Sequence, residues 1–257
     1  MSDEKKSSSL IQRNHWDELR AHTNARIALG RVGASLPTSA SLQFGLAHAQ
    51  ARDAVHRPLA ATQLREQLEA HGFQTILVAS GADDRNTYLL RPDLGRSLRE
   101  SDRVMLQSQP SAEIAIVIAD GLSSFAIERH ALPFLKIFRE QFKAEWSTIP
   151  IVIAEQGRVA IGDDIGAALR VKLIIMLIGE RPGLSSPDSL GIYLTFDPKP
   201  GRMDAERNCI SNVRPEGLSY SSAAHKLAFL SRQALQLKLT GVNLKDDSDI
   251  KSIAPSL

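Results

Sequence analysis

Short apolar runs alternate with amphipathic stretches along most of the chain. Runs rich in branched side chains, each long enough for one strand, lie at residues 73–80, 113–119, 149–154, 171–178 and 190–196. Such runs are typical of strands buried on both faces of a parallel sheet. Helical patterns separate several of them, and a last helix is predicted over residues 220–239. This order predicts an α/β fold with a doubly wound, mostly parallel, Rossmann-like sheet.

Three other segments have weaker patterns. Residues 87–90 follow a charged turn and are predicted as a strand able to form a hairpin with residues 73–80. Pro92 and Asp93 favour the start of a helix. Residues 208–217 have the composition of a loop, and the chain after Lys245 is predicted to fray.

The N-terminal part of the chain is patterned differently. Residues 1–15 are polar and predict a flexible tail. Residues 16–71 predict helices that end at His71-Gly72, with glycine in the usual position just past a helix end. This helical region is expected to pack against a partner or against the later sheet, and residues 72–257 are expected to form the α/β domain.

Three predicted strands leave through polar loops that contain glycine, at residues 120–123, 155–158 and 179–183. Because open α/β sheets bind ligands beyond the carboxyl ends of their strands, one crevice is expected to collect these loops. The loop Gly179-Glu180-Arg181-Pro182-Gly183 follows the most apolar strand and is the leading site candidate. The alternative is an ordinary solvated turn, since glycine and proline are common in turns.

Composition limits the possible partners. The 31 basic and 29 acidic residues leave a net charge of +2, which gives no electrostatic footprint for nucleic acid or an anionic membrane. No run of about 18 apolar residues suggests a membrane span, and the first residues lack the apolar core of a signal peptide. One cysteine excludes an intramolecular disulfide, and no Cys/His cluster has metal-ligand spacing. A cytosolic protein is expected.

The common catalytic and phosphate-binding motifs are absent. The sequence contains no Gly-x-Gly-x-x-Gly, no P-loop and no Gly-x-Ser-x-Gly. Cys209 has no histidine close in sequence, which favours a small packed side chain over a nucleophile, and Asp163-Asp164 is most simply a helix N-terminus. The residues alone indicate an α/β binding module, and the sheet pattern also allows a stand-alone nucleotide-binding protein or reductase.

Five sequence blocks carry a resemblance to a known family. They are RPDLGR at residues 91–96, ADGLS at 119–123, GRV at 157–159, LIGERPGL at 177–184 and NCISN at 208–212. With these blocks in order, the chain from about residue 20 to 245 closely resembles the small (light) subunit of ethanolamine ammonia-lyase.

The resemblance implies a radical reaction that depends on adenosylcobalamin and converts ethanolamine to acetaldehyde and ammonia. It implies that a large subunit supplies the substrate site, that this chain holds the cobalamin from the other side within a hetero-oligomer, and that no catalytic residue lies on this chain. The chain alone would be inactive. Residues 16–71 are then expected to dock on the large subunit.

The resemblance assigns cobalamin contacts to Val159, Glu180 and Cys209, and no metal ligand to this chain. Glu180 can accept hydrogen bonds from the amide side chains of the corrin, while Val159 and Cys209 offer compact apolar contact or backbone groups. The sequence lacks the Asp-x-His-x-x-Gly motif that replaces the benzimidazole ligand, in agreement with base-on cobalamin. The sequence does not define the roles of Arg91, Asp120 and Arg181. It leaves both the cytosol and a bacterial microcompartment open as locations.

Overall fold

A computed structural model of the chain describes residues 10–249. Residues 1–9 of the predicted tail and residues 250–257 of the predicted frayed end lie outside the described residues. Contacts divide the chain into two compact units, one comprising the described residues up to Asp53 with Gly183–Ser186, and the other comprising Ala54–Pro182 and the described residues from Pro187. This division falls before the boundary predicted at residue 71.

The first unit contains a 3-10 helix, Asp17–His22, and the start of helix α1, Thr38–His56. The main chains of Gln12 and Arg31 pair through two hydrogen bonds of 2.8 and 3.0 Å, so the chain before Asp17 is held at this point. Arg26 Nη2 donates to the carbonyl oxygen of Leu184 at 3.0 Å. Among the described residues of this unit, Ala47 is the one buried hydrophobic side chain.

The second unit is built on a six-stranded sheet, counted over residues 54–249. Its strands are β1 Thr75–Ala79, β2 Ile114–Ala119, β3 Ile151–Glu155, β4 Leu173–Gly179, β5 Leu190–Phe196 and β6 Asn208–Val213. Their order in the sheet is β1-β3-β2-β4-β5-β6. Strands β1 to β4 run parallel to one another, whereas the pairs β4–β5 and β5–β6 are antiparallel.

The fold is therefore α/β, but the sheet is mixed and departs from the predicted doubly wound, Rossmann-like arrangement. The connection from Gly179 to Leu190 explains the difference. A parallel crossover needs a dozen or more residues and usually a helix. Residues 180–189 are shorter than that and contain Pro182 and Pro187, so the chain returns beside β4 in the opposite direction.

Helices cover both faces of the sheet. The remaining helices are α2 Ala61–Ala70, α3 Arg85–Leu90, α4 Glu100–Gln107, α5 Ser124–Gln141, α6 Ile161–Leu169 and α7 Tyr220–Leu237. One apolar cluster joins the sheet to α2, α5 and α7, and a second joins its other face to α4 and α6. All of β2 is buried, which accounts for its continuous apolar run. Leu64 and Leu68 of α2 belong to the first cluster, so part of the predicted docking region is core of the sheet.

Two weakly patterned segments were predicted wrongly. Residues 87–90 lie in helix α3, where the Asp84 side chain caps the helix by accepting the Thr87 N–H at 2.8 Å. Residues 208–213 form strand β6 because the free edge of β5 offers main-chain partners, and Ile210 and Val213 are buried there. Local composition favoured a strand for the first segment and a loop for the second. The Asp84 cap and the edge of β5 decided their structures.

Helix α5 begins at a side-chain cap. Ser123 is the N-cap and accepts the Ala126 N–H. Pro133 lies inside the unbroken helix. No helix within residues 10–249 is both long enough and apolar enough to cross a bilayer.

The loops after β2 and β4 meet at two glycines. Gly121 has a φ of +54°, a conformation that suits glycine. The Leu122 N–H donates to the Gly179 carbonyl oxygen at 3.0 Å. A Cβ on Gly179 would meet the Ser123 carbonyl and lie 2.5 Å from that of Asp120, so the two backbones pass each other with no room for a side chain.

We expect Gly179→Ala to lower the free energy of unfolding by roughly 1–3 kcal/mol, because backbone must move to admit the methyl group. Gly162→Ala is the matched control, since its Cβ would lie 3.6 Å from the Met176 sulfur, an ordinary contact. Urea denaturation should show the control unchanged or slightly stabilised. Equal stability of the two variants would contradict a tight backbone crossing.

Candidate functional site

A cavity of about 440 Å³ opens at the carboxyl ends of β2, β3 and β4. Gly121 and Leu122 line it after β2, Arg158–Ala160 after β3, and Gly179–Arg181 after β4. All three loops predicted to share a crevice thus do so. The cavity lies where parallel strands direct their carboxyl ends, the usual place for ligands in such sheets.

The Asp120 carboxylate holds the walls of this cavity together. It is fully buried and accepts hydrogen bonds from Arg85 Nη1 at 2.8 Å and from the Gly157 N–H at 3.0 Å. Burial raises the pKa of Asp120 to about 6, against the opposing charge of Arg85 and the backbone donors. The carboxylate is therefore ionised at neutral pH and joins the β2 exit, the β3 exit and α3, without lining the cavity itself.

Tyr88 of α3 forms the floor beside these groups. Arg85 and Arg158 lie over its ring at 4.7 and 4.6 Å from the centroid. The hydroxyl donates to the Gly157 carbonyl oxygen at 3.2 Å, and Arg158 Nη2 donates to the Tyr88 carbonyl oxygen at 3.3 Å. The buried Nε of Arg158 has no hydrogen-bond partner among the described residues. Arg158 is thus held by packing and keeps one donor unused.

Glu180 is anchored by neutral donors. Its carboxylate accepts from Ser211 Oγ at 2.6 Å, from Ser189 Oγ at 2.5 Å and from the Asn212 N–H at 3.3 Å. These partners lie on β6 and on the connection before β5, so Glu180 is fixed at the sheet edge. No cation pairs with it among the described residues, and its negative charge remains available at the cavity wall.

The other two residues assigned by resemblance differ in position. Val159 is half-buried and lines the cavity. Cys209 is exposed on β6, opposite Tyr193, and only Tyr193 lines the cavity. Desolvation and the nearby charge of Glu180 raise the pKa of Cys209, against a hydrogen bond with Tyr193 that lowers it. The structure therefore places Val159 and Glu180 in the lining of one cavity. Cys209 lies outside the lining, on the strand next to Tyr193, and its raised pKa keeps the thiol protonated.

Arg181 and Arg91 also separate. Arg181 is exposed and lines the cavity. Arg91 pairs with Asp93 on the surface at 2.7 Å and is not part of the lining. The Leu122 and Ser123 N–H groups donate to the carbonyls of Gly179 and Asp120 and are therefore not available to a ligand in the cavity.

Several lining residues escaped sequence reasoning, namely Arg96, Tyr193, Arg202, Asp204 and Arg207. Arg96 is the last residue of the RPDLGR block, so its place in that block was the sequence signal for it. Arg202 and Arg207 lie in a charged connection that matches no motif.

The placement of Arg207 depends on the pair Asp163-Asp164, which was predicted only as a helix start. Arg207 makes a buried, two-pronged ion pair with Asp163 at 2.6 and 2.7 Å. Asp164 pairs with Arg103 and accepts the Leu98 N–H at 2.8 Å. These two carboxylates attach different segments of the chain to the start of α6.

The lining of the cavity offers hydrogen-bond donors and acceptors. Burial, with the neighbouring Cys209 and Glu180, raises the pKa of Tyr193, which keeps its hydroxyl protonated at neutral pH. Over residues 10–249, no three His, Cys, Asp or Glu side chains converge as metal ligands. The arrangement is suited to binding a ligand that combines amides, apolar surface and an anion.

Comparison with known proteins identifies the family. A model of the family described as ethanolamine ammonia-lyase light chain (EutC) matches residues 13–245. The chain is 56% identical over 246 residues to the ethanolamine ammonia-lyase small subunit of Pseudomonas fluorescens (strain Pf0-1), covering 93% of this chain and 90% of that one. It is 55% identical over 243 residues to the small subunit of Azotobacter vinelandii (strain DJ / ATCC BAA-1303), covering 92% and 90%. The chain therefore belongs to the ethanolamine ammonia-lyase light chain family.

Proposed function

We propose that this chain is the small subunit of a heteromeric ethanolamine ammonia-lyase and that its cavity holds part of a base-on adenosylcobalamin. The observation that carries the proposal is the position of Val159 and Glu180. Both are assigned to cobalamin by family resemblance, and both line one cavity at the carboxyl ends of the central strands. Cys209 contributes from β6 beside Tyr193.

The donor set fits such a cofactor. Corrin side chains are amides, which donate to a carboxylate such as Glu180 and accept from arginines, and Val159 and Ile178 give apolar contact. The unused Nε of Arg158 is one further donor. A volume of about 440 Å³ admits only part of a corrinoid, so the large subunit would cover the rest. No histidine lines the cavity among the described residues, which favours retention of the benzimidazole ligand.

The division of work follows from the same groups. When bound, adenosylcobalamin would supply the radical chemistry for the reaction of ethanolamine. This chain binds and orients the cofactor. Its Asp120 is occupied by a buried ion pair, and the raised pKa values of Tyr193 and Cys209 keep both groups protonated, so none of the three is proposed as a proton acceptor. The large subunit supplies the substrate site.

The first unit is the proposed docking element for that large subunit. Nine of the fourteen exposed large hydrophobic residues of the described chain lie between Leu10 and Leu46. A small unit with so much exposed apolar surface is stabilised when a partner covers it. Helix α2, which lay in the predicted docking region, is left out of this proposal because its apolar side chains lie in the sheet core.

Co-expression with the large subunit tests the proposed activity. The purified pair, supplied with adenosylcobalamin, should release ammonia and acetaldehyde from ethanolamine, and this chain alone should release neither. An inactive but correctly assembled pair would reject the proposal. Tight nucleotide binding by the isolated chain, without cobalamin binding by the pair, would support the nucleotide-binding alternative.

Substitution of Glu180 tests the assigned contact. Glu180→Gln removes the charge but keeps the shape, so cobalamin affinity of the assembled pair should fall about ten- to hundredfold, the loss of one charge-assisted hydrogen bond of roughly 1.5–3 kcal/mol. Turnover at saturating cofactor should change much less.

The matched control is Glu140→Gln, an exposed glutamate on α5 outside the cavity lining, which should leave affinity unchanged. Intact affinity with lost turnover in Glu180→Gln would instead place Glu180 in the catalytic machinery.

Substitutions on α1 test the docking role. Leu42 and Leu46 lie one turn apart and are 69% and 59% exposed. Leu42→Asn with Leu46→Asn should weaken co-purification with the large subunit and leave the unfolding transition of the chain unchanged. Val104→Asn with Val242→Asn is the control, since these residues of the second unit are 58% and 62% exposed. If both pairs co-purify normally, the first unit is not the docking element.

A further inference from the structure

The polar lining of the cavity is dominated by arginine. Five arginines contribute to it, Arg96, Arg158, Arg181, Arg202 and Arg207, against the acidic side chains Glu180 and Asp204. Guanidinium groups of like charge around one cavity repel each other, and this repulsion is strongest where solvent is excluded. The charge that the cavity presents to a ligand therefore depends on which of these arginines are paired with carboxylates of the same chain.

Two of the five are neutralised inside the protein. Arg207 forms its two-pronged pair with Asp163. Arg202 pairs with Asp197 at 2.7 Å and with Glu206 at 2.5 Å. Because carboxylates neutralise both guanidinium groups, Arg202 and Arg207 attract an anionic ligand only weakly.

The other three have no acidic partner among the described residues. Arg96 and Arg181 are exposed, and neither makes a side-chain hydrogen bond or an ion pair with a described residue. Arg158 is fixed against Tyr88 and keeps its buried Nε unused. The cavity therefore combines one guanidinium held in place, that of Arg158, with two exposed ones. The Glu180 carboxylate is bonded to serine and backbone donors and not to these arginines.

This combination suits an oxyanion with several acceptor oxygens. The planar guanidinium matches phosphate geometry, and charge-assisted bonds of this kind are stronger than neutral ones. In cobalamin the corrin side chains are neutral amides, and the negative group is the phosphodiester of the nucleotide tail. We propose that Arg96, Arg158 and Arg181 bind this phosphodiester, so that the small subunit recognises cobalamin by its tail. The inference rests on the proposed function, because the phosphodiester reaches the cavity only if cobalamin binds there.

The test compares three probes on the assembled pair of subunits. Cyanocobalamin carries the whole tail, cobinamide phosphate keeps a phosphate without the base, and cobinamide lacks both. Equilibrium dialysis with absorbance detection gives a Kd for each probe. Arg96→Gln and Arg181→Gln are chosen because both side chains are exposed, whereas Arg158 is packed into the wall.

Each variant should bind cyanocobalamin and cobinamide phosphate about tenfold more weakly than the unsubstituted pair, while cobinamide affinity stays the same. Added salt should weaken cyanocobalamin binding less in the variants, since one screened attraction is gone. Arg181→Lys keeps the charge and should recover part of the affinity. Arg91→Gln, a surface arginine outside the cavity, is the matched control and should change nothing.

An equal loss for cobinamide and cyanocobalamin, or no loss for either together with an unchanged salt dependence, would overturn the assignment of these arginines to the phosphodiester. In both cases cobalamin still binds the unsubstituted pair, so the proposed function stands. Failure of the unsubstituted pair to bind any of the three probes would overturn the proposed function and this inference with it.

Discussion

The buried ion pair between Arg85 and Asp120 is the interaction on which the site depends. It joins α3 to the end of β2, and the second oxygen of Asp120 accepts the Gly157 N–H at the end of β3. The close passage of Gly121 and Gly179 then attaches the end of β4. A buried carboxylate without its partners is costly, so these contacts hold the three strand exits together as one rim around the cavity.

That rim separates structural charges from available ones. Asp120, Asp163 and Asp164 are buried, and each pairs with an arginine. Glu180 and Arg181, adjacent in sequence, have no ion-pair partner among the described residues. Charges paired within the fold maintain the shape of the cavity, and charges at its wall without an ion-pair partner can attract a ligand. The proposed roles of Glu180 and of the free arginines follow from this distinction.

The two compact units divide the apolar side chains in a comparable way. The second unit buries nearly all of its large hydrophobic residues in the two clusters against the sheet. The first exposes most of its own, from Leu10 to Leu46. Helix α2 precedes the sheet in sequence but belongs to its core through Leu64 and Leu68. Burial, and not helical pattern, therefore marks which N-terminal residues are free to meet a partner.

The sequence by itself determined five of the six strands, the helices between them and the loops around the cavity, since a buried strand needs an apolar run whatever surrounds it. Family resemblance assigned Val159 and Glu180 to the site, and both line the cavity. The antiparallel return of β5, the helix at residues 85–90, strand β6 and the arginines at 202 and 207 were decided by tertiary structure. Each of these depends on a partner distant in sequence, such as the edge of β5 or the Asp163 carboxylate. Local sequence patterns do not predict such partners. Pairing between groups distant in sequence becomes energetically significant only when folding brings them together and removes water.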